Sequence, residues 1–262
     1  MNIEISSNNK KNILRLALFI GELMLTNGAE TYRVEDTVIR ICKSRGFNHI
    51  NVFTSPTVII ISDYRFDGYS FMKTIKSRSI NLDKISALNN FSRQFVGDNE
   101  ITVENAMKEL KSIVHTSSYS KITQYISTGI GSAFFAGLVE GNNIPTFVTT
   151  FITSILAVKI YNKIIEMSSI PAFASLISSS FIAAMGVILT QLNVLAAPTM
   201  LVVGSIMPLL PGVSFIKGLR DLIAGDLIAG VARAFDAGVT AVSIACGVGM
   251  VLDVWFMLGG VL

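Results

Sequence analysis

The chain has 262 residues, a net charge of +3 at pH 7 and a mean hydropathy of +0.58. This hydropathy is too high for an ordinary soluble protein of one or two domains. The small net charge and the lack of any run of five basic residues exclude an electrostatic case for nucleic acid as a partner.

Charged residues are concentrated in the first half of the chain. Residues 1–121 hold 16 of the 21 Lys and Arg residues and 12 of the 18 Asp and Glu residues. A charged side chain at the centre of a bilayer costs about 2.5–3.5 kcal/mol, so membrane spans contain few of them. We therefore predict a membrane protein with an α+β cytoplasmic domain over residues 1–118 and a transmembrane helical domain over residues 119–262.

The first elements in chain order are two predicted helices. Apolar residues recur at helical spacing from Asn12 to Leu25. Asn27 followed by Glu30 is typical of a capping box, which predicts a second helix from Gly28 or Ala29 to about Ser44. The start of the chain is polar and leads into an amphipathic segment rather than the apolar core of a signal peptide, so we expect this domain to stay in the cytoplasm.

Residues 50–76 are rich in β-branched and aromatic residues and include FTSPTVIIIS and the turn-like RFDG at 65–68. This composition predicts two or three antiparallel strands. Helical signals return from Asn81 or Asp83 to Phe95, and Thr102 is placed to cap a last helix. The predicted order is therefore α-α-β-β-β-α-α.

The second half contains about five apolar segments long enough to span or nearly span a bilayer. They lie at about 122–139, 144–161, 170–192, 194–210 and 234–256. Basic residues flank the segments at alternate ends, which by the positive-inside rule predicts a cytoplasmic N-terminus and a C-terminus outside the cell. We thus expect a multi-pass protein of the cell membrane.

The stretch from Met207 to Gly238 is the most unusual part of this half. Pro211 and Gly212 interrupt the helical pattern, and Asp221 and Asp226 follow among apolar residues. A broken helix in a membrane can receive an anionic substrate group at its N-terminus. An amphipathic connector lying on the lipid headgroups explains the same pattern.

Asp236 stands at the start of the last predicted span, three residues after Arg233. Ionisable residues inside membrane spans are costly and are usually functional. Asp236 is therefore a candidate for proton coupling or substrate contact.

A second dense group of charges lies in GELMLTNGAETYRVEDTVIRIC, residues 21–42, and it contains Glu22, Glu30, Arg33, Glu35 and Asp36. Most such charges form a solvated helix face. No nucleophile, metal ligand or base accompanies them at a spacing that indicates a catalytic or metal site. The possible ligands Cys42, Cys246, His49 and His115 are isolated from one another in the sequence. We predict no catalytic residue, metal site or cofactor, and we expect that the protein is not an enzyme.

The segment at residues 21–42 and the stretch from Met207 to Gly238, together with FTSPTVIIIS, resemble the threonine/serine exporter family. The resemblance extends from about Leu14 to Leu258. The resemblance implies a secondary transporter that exports small amino acids or a dicarboxylate such as succinate. It also implies a second, smaller membrane subunit, since the chain has one membrane module. It marks as family positions Gly21, Glu22, Gly28, Glu30, Thr31, Arg33, Glu35, Asp36, Pro211, Gly212, Asp221, Gly225, Asp226 and Arg233.

We hypothesise that Arg33 and its acidic neighbours form a cytoplasmic gate, that Asp226 and Asp236 couple transport to protons, and that Arg233 holds a substrate carboxylate. The expected partners are the substrate, the lipid bilayer, and the smaller subunit or further copies of this chain. A membrane-anchored enzyme acting through the group near Glu30, and a sensor or scaffold, remain alternatives. The chain lacks a G-x-x-x-x-G-K-[ST] motif, so no ATP-driven pump is predicted within it.

Overall fold

A computed structural model describes residues 7–65, 68–76, 78–116, 119–140 and 143–260, with side chains from Lys10 onward. These residues form two compact units. The first unit comprises the described residues up to 116 together with Ile216–Ala234. The second comprises residues 119–215 and the described residues from Phe235 onward.

The first unit contains the predicted order of two helices, three strands and two helices, which is confirmed. The predicted turn RFDG at 65–68 falls partly outside the described residues. The elements are α1 (Ser7–Thr26), α2 (Thr31–Ser44), β1 (Ile50–Ser55), β2 (Val58–Asp63), β3 (Ser70–Thr74), α3 (Leu82–Gly97) and α4 (Val103–His115).

The three strands form an antiparallel sheet in the order β1-β2-β3, with Phe53 opposite Ile60 and Ile60 opposite Met72. Alternate residues of β2, among them Ile59 and Ile61, are fully buried, as the two-residue period of a strand requires. A Cβ added to Gly21 of α1 would lie 2.3 Å from Ile59 Cδ1. The glycine therefore lets α1 lie directly on the sheet.

The predicted cap at Thr102 is confirmed, and Asn81, one of the two predicted starts of α3, is also a cap. The Asn81 side chain accepts a hydrogen bond from the Lys84 backbone N–H at the start of α3. The Thr102 hydroxyl does the same for Asn105 at the start of α4. Each cap pairs a backbone donor that the first helical turn leaves free.

The predicted capping box of Asn27 and Glu30 is wrong. The Asn27 amide donates to the Leu23 carbonyl, and α2 begins only at Thr31. Glu30 is the N-cap residue, but its carboxylate makes no cap hydrogen bond. Two arginines bind this carboxylate instead, as described below.

A Schellman loop explains the late start of α2. Gly28 has φ of +85°, and the Ala29 and Gly28 N–H groups donate to the carbonyls of Met24 and Leu25. Glycine adopts this left-handed conformation without a steric penalty. The loop ends α1 and turns the chain before the next helix can form.

The second half of the chain consists of helices. They are α5 (Lys121–Glu140), α6 (Ile144–Ser168), α7 (Pro171–Gln191), α8 (Thr199–Ile206) with a 3₁₀ turn (Met207–Leu209), α9 (Gly212–Ile223) and α10 (Leu227–Met257). Four of the described helices, α5, α6, α7 and α10, are long and apolar enough to cross a membrane. The bent pair Thr199–Leu209 and Gly212–Ile223 makes a fifth if it counts as one span. The chain thus has the helices of a multi-pass membrane protein.

Two predicted spans differ from the observed helices. The predicted span at 194–210 contains a shorter helix, because α8 begins at Thr199 after Pro198, which has no backbone N–H to donate to an earlier turn. The last helix begins at Leu227 rather than near 234, so it includes Arg233. The hydropathy pattern missed this extension because Arg233 interrupts the apolar run.

Candidate functional site

Asp221 on α9 is the most buried charged residue of the first unit, and it pairs with Arg233 on α10. Arg233 Nε lies 3.0 Å from Asp221 Oδ2, and the two side chains are 12% and 0% exposed. Burying a charge is costly unless it is paired, so each residue needs the other in order to stay ionised in the folded unit.

The ion pair is incomplete as a hydrogen bond. Although the two atoms are close, the Nε–H group does not point at the oxygen, and neither Nε nor Oδ2 has a hydrogen-bond partner among the described residues. One further atom of each side chain does have a partner. The Thr31 hydroxyl donates to Asp221 Oδ1 at 3.0 Å, and Arg233 Nη2 donates to the Ala29 carbonyl at 3.0 Å.

Glu30 is the second buried carboxylate at this site, and it binds two arginines. Arg220 Nη1 lies 2.5 Å from Glu30 Oε1, and Arg33 Nη1 lies 3.4 Å from Oε2. The Glu30 side chain is only 7% exposed, whereas both arginines are about half exposed. The carboxylate is thus held inside while the guanidinium groups reach the surface.

Close packing of α9 against the start of α10 positions these charges. A Cβ added to Gly218 would lie 3.0 Å from the Ala234 backbone N and 3.1 Å from the Gly230 carbonyl oxygen. The turn between the helices is a second Schellman loop, in which Gly225 has φ of +92° and the Asp226 N–H donates to the Asp221 carbonyl. The hairpin therefore places Asp221 beside Arg233.

Lys217 adds a further cation, because its ammonium group donates to the Gly28 carbonyl. We call this group of side chains the charged cluster. Its four cations and two carboxylates leave an excess of two positive charges, which favours an anionic ligand group. The charged cluster consists of Glu30, Arg33, Lys217, Arg220, Asp221 and Arg233.

Glu35 has a different environment from the charged cluster. Its Oε1 accepts hydrogen bonds from the Thr54 backbone N–H at 2.9 Å and from the Thr54 hydroxyl at 3.0 Å. Burial raises the pKa of the Glu35 carboxyl, and the two hydrogen bonds from Thr54 oppose this rise. These contacts fasten α2 to β1.

The other predicted acidic residues have partners elsewhere. Glu22 forms an ion pair with Lys73 at 3.2 Å, and the exposed Asp36 pairs with Arg40 at 2.7 Å. Asp226 Oδ1 accepts from the Ala229 N–H at 3.2 Å, which caps α10. Asp236 is an exposed residue of α10 in the second unit.

Pro211 and Gly212 are placed where the sequence predicts a break. Pro211 lies between the 3₁₀ turn and α9, and α9 begins at Gly212. A Cβ added to Gly212 would meet nothing within 4 Å, so no close approach requires this glycine.

The structure brings together Glu30, Arg33, Asp221 and Arg233 from two distant segments, and it adds two residues that the sequence did not single out as site residues. Lys217 and Arg220 drew attention only as bases flanking a span. Their spacing from Asp221 places all three near one face of a helix, which was the available signal. The described residues contain no group of three His, Cys, Asp or Glu side chains arranged to hold a metal ion.

The sequence matches the model of the ThrE family, described as "Putative threonine/serine exporter", over residues 15–255. It is 22% identical over 255 residues to the "Probable succinate transporter subunit YjjP" of Escherichia coli (strain K12), covering 96% of this chain and 98% of that protein. The protein of the same description from Klebsiella aerogenes is 22% identical over 266 residues, covering 98% of this chain and 99% of that protein.

A longer relative is the "Probable threonine/serine exporter" of Mycobacterium tuberculosis, which is 21% identical over 243 residues. The match covers 91% of this chain but 45% of that protein. No solved structure matches the chain significantly.

Proposed function

Because the chain belongs to the threonine/serine exporter family, we propose that it is one subunit of a secondary transporter that exports small amino acids such as threonine and serine. The apolar helices and the relatives described as a transporter subunit support this function. The single observation that carries the substrate assignment is the pair of buried, unsatisfied atoms Asp221 Oδ2 and Arg233 Nε.

These two atoms suit the two charged groups of an amino acid. Arg233 Nε can donate to the substrate carboxylate, and Asp221 Oδ2 can accept from the substrate ammonium group. Each atom would then gain the hydrogen bond that it lacks in the pair. Thr31 holds the other carboxylate oxygen in place, so the acceptor is already oriented.

The same geometry supports coupling to protons. A proton and the ammonium group of an amino acid compete for Asp221 Oδ2, because each neutralises the carboxylate. This competition favours antiport, in which a proton enters as an amino acid leaves. An inward proton gradient can then drive export. Asp226 and Asp236 stay additional candidates for coupling, and Arg33 with Glu30 stays a candidate gate.

A dicarboxylate such as succinate is the second candidate substrate. The charged cluster has an excess of two positive charges, which matches a dianion. In that case Arg233 and Arg220 would bind the two carboxylates, and Glu30 and Asp221 would release them.

We also propose that a second membrane subunit completes the transporter and that the first unit faces the cytoplasm. The match covers 45% of the Mycobacterium tuberculosis protein, which supports a separate subunit for the rest of the transporter. The concentration of basic residues before α5 supports the orientation.

The test is efflux from cells that lack their own exporters and that produce this chain with or without its smaller partner. The cells are loaded with a serine or threonine dipeptide or with succinate. We expect efflux only with both subunits, and loss of efflux in D221N and R233K but not in the surface control E104Q, at an exposed ion pair of α4. Correctly inserted protein without efflux of any cargo would redirect attention to a membrane-anchored enzyme or a sensor.

A further inference from the structure

Several hydroxyl groups inside the second unit have no hydrogen-bond partner among the described residues. Each side chain is buried, with its oxygen less than 1 Å² exposed. A buried polar group without a partner is unusual in a folded protein and calls for an explanation such as a ligand. They include Ser132 of α5, Thr150 of α6, Ser178 of α7 and Ser205 of α8.

Three of these residues meet where α8 crosses α5 and α6. A Cβ added to Gly204 would lie 2.9 Å from the Ser132 carbonyl oxygen and 2.9 Å from Thr150 Cγ2. Ser205 follows Gly204 directly and is itself fully buried. Ser132 and Thr150 therefore lie beside Gly204 and Ser205 is its neighbour in the chain, so all three are at this crossing, and we call Ser132, Thr150 and Ser205 the hydroxyl cluster.

Other hydroxyls of these helices show that partners are available. Thr149 donates to the Pro145 carbonyl at 2.7 Å, and Thr190 donates to the Gly186 carbonyl at 2.9 Å. Such bonds to the preceding turn are the usual solution for Ser and Thr in an apolar helix. Thr150 differs from its neighbour Thr149 in lacking one, so the chemistry of the residue type does not explain the hydroxyl cluster.

The hydroxyl cluster is deep in an uncharged region. Ser132 lies roughly 17 Å along α5 from Lys121 and roughly 12 Å from Glu140, at 1.5 Å per residue. Residues 122–139, 144–158 and 194–216 contain no Lys, Arg, Asp or Glu. These segments supply no charged side chain that could pair with a solute of net charge. A solute without net charge can use the hydroxyls as hydrogen-bond donors and acceptors.

We propose that Ser132, Thr150 and Ser205 form a transit site for a small polar solute without net charge, such as zwitterionic serine or threonine. This site rests on the proposed transport function and deepens it. The structure shows the site closed, because its hydroxyl oxygens are buried. The solute therefore reaches the hydroxyls only after α8 separates from α5 and α6.

Cysteine labelling tests the site in the full chain with its partner subunit in membrane vesicles. Cys246 is replaced by alanine, while Cys42 stays, because burial raises the pKa of its thiol to about 12 and leaves almost no reactive thiolate. A small hydrophilic methanethiosulfonate reagent should label S132C and S205C at least 10-fold faster than I130C. Ile130 is exposed on the lipid side of α5, where thiols do not ionise.

L-Serine should slow the labelling of S132C and S205C, and succinate at neutral pH should not. Labelling is read by mass, so it reports on this site even if efflux fails for other reasons. No labelling of either variant in folded protein overturns the proposal. The proposal is also overturned if serine does not change the labelling rate, or if succinate alone protects the two cysteines.

A matched pair of isosteric variants provides a second readout. T150V should raise the KM for serine efflux about 10-fold without lowering thermal stability, because it removes a hydroxyl that has no partner in the closed state. T149V should leave the KM unchanged. Equal effects of the two variants, or loss of stability in T150V with an unchanged KM, contradict a transit site.

Discussion

Thr31 and Asp221 are 190 residues apart in the sequence, and the Thr31 hydroxyl donates to Asp221 Oδ1 at 3.0 Å with both residues fully buried. This bond joins the start of α2 to α9. It also leaves Oδ2, which lies 3.0 Å from Arg233 Nε, as the carboxylate oxygen that has no hydrogen bond among the described residues.

Replacing Thr31 by valine removes this donor while keeping the shape of the side chain. We expect T31V to lower the free energy of unfolding by about 1–3 kcal/mol, since a buried carboxylate oxygen loses its hydrogen bond. Chemical unfolding in detergent measures the change. T31S keeps the hydroxyl and should lose less than half as much; equal losses would show that the methyl group, not the bond, matters.

Asp221→Asn removes one charge of a buried ion pair and leaves the other without a partner. We expect a loss of about 3–5 kcal/mol in unfolding free energy. The exposed pair of Asp36 and Arg40 is the control, and D36N should cost at most about 1 kcal/mol.

The double variant D221N/R233Q separates folding from transport. It buries no unpaired charge, so it should recover most of the stability lost in D221N. It lacks both groups that bind the substrate, so efflux should stay absent. Recovery of efflux together with stability would show that the pair is only structural.

Glu35 makes stability depend on pH in a defined direction. Burial raises its pKa above the usual value of 4.5, so the folded chain binds this proton more tightly than the unfolded chain. The contribution of Glu35 to stability therefore falls as the pH rises from 4.5 to the folded pKa. We therefore expect the free energy of unfolding of E35Q, measured with denaturant between these pH values, not to show this decrease. An identical pH profile in both proteins would remove Glu35 as the cause.

Asp63, in the same unit, makes stability depend on pH in the opposite direction to Glu35. Hydrogen bonds from Arg65 lower the pKa of its carboxyl below the usual 3.8. Its contribution is complete above pH 3.8 and is lost as the pH falls through the folded pKa. Wild type should exceed D63N in stability at pH 6, and the difference should shrink below pH 3.8. A difference that grows with acidification would contradict this assignment.

Gly218 is required by the close packing of α9 on α10. G218A places a methyl group 3.0 Å from the Ala234 backbone N, so the helices must shift, and we expect a loss of about 1–3 kcal/mol in unfolding free energy. Gly212 of the same helix has open space around it, so G212A should be neutral or slightly stabilising. Thermal unfolding of the two variants compares them directly.

Local rules were sufficient to predict most of the first unit. The cap at Thr102 and the three strands were predicted from residues a few positions apart, and both are confirmed. The start of α2 was misplaced because a Schellman loop at Gly28 and a capping box at Asn27 use similar residues. The Glu30 carboxylate binds Arg33 and the distant Arg220 and does not cap the helix.

The charged cluster was only partly accessible from sequence. Asp221 and Arg233 were candidates because charges are rare in that half, but no local rule pairs them with each other or with Thr31. Hydropathy also could not place Ile216–Ala234 with the first unit, since this segment is amphipathic and adjoins apolar spans. Long-range packing determines both features.

The most direct test of the account is serine efflux from proteoliposomes that contain this chain and its smaller subunit. The vesicles are loaded with labelled serine, and the external pH is lowered. We predict that the acid outside accelerates efflux, that serine release is accompanied by proton entry, and that D221N abolishes both while E104Q, at an exposed ion pair of α4, abolishes neither. Efflux that proceeds in D221N at the wild-type rate and with the same response to pH would contradict the account.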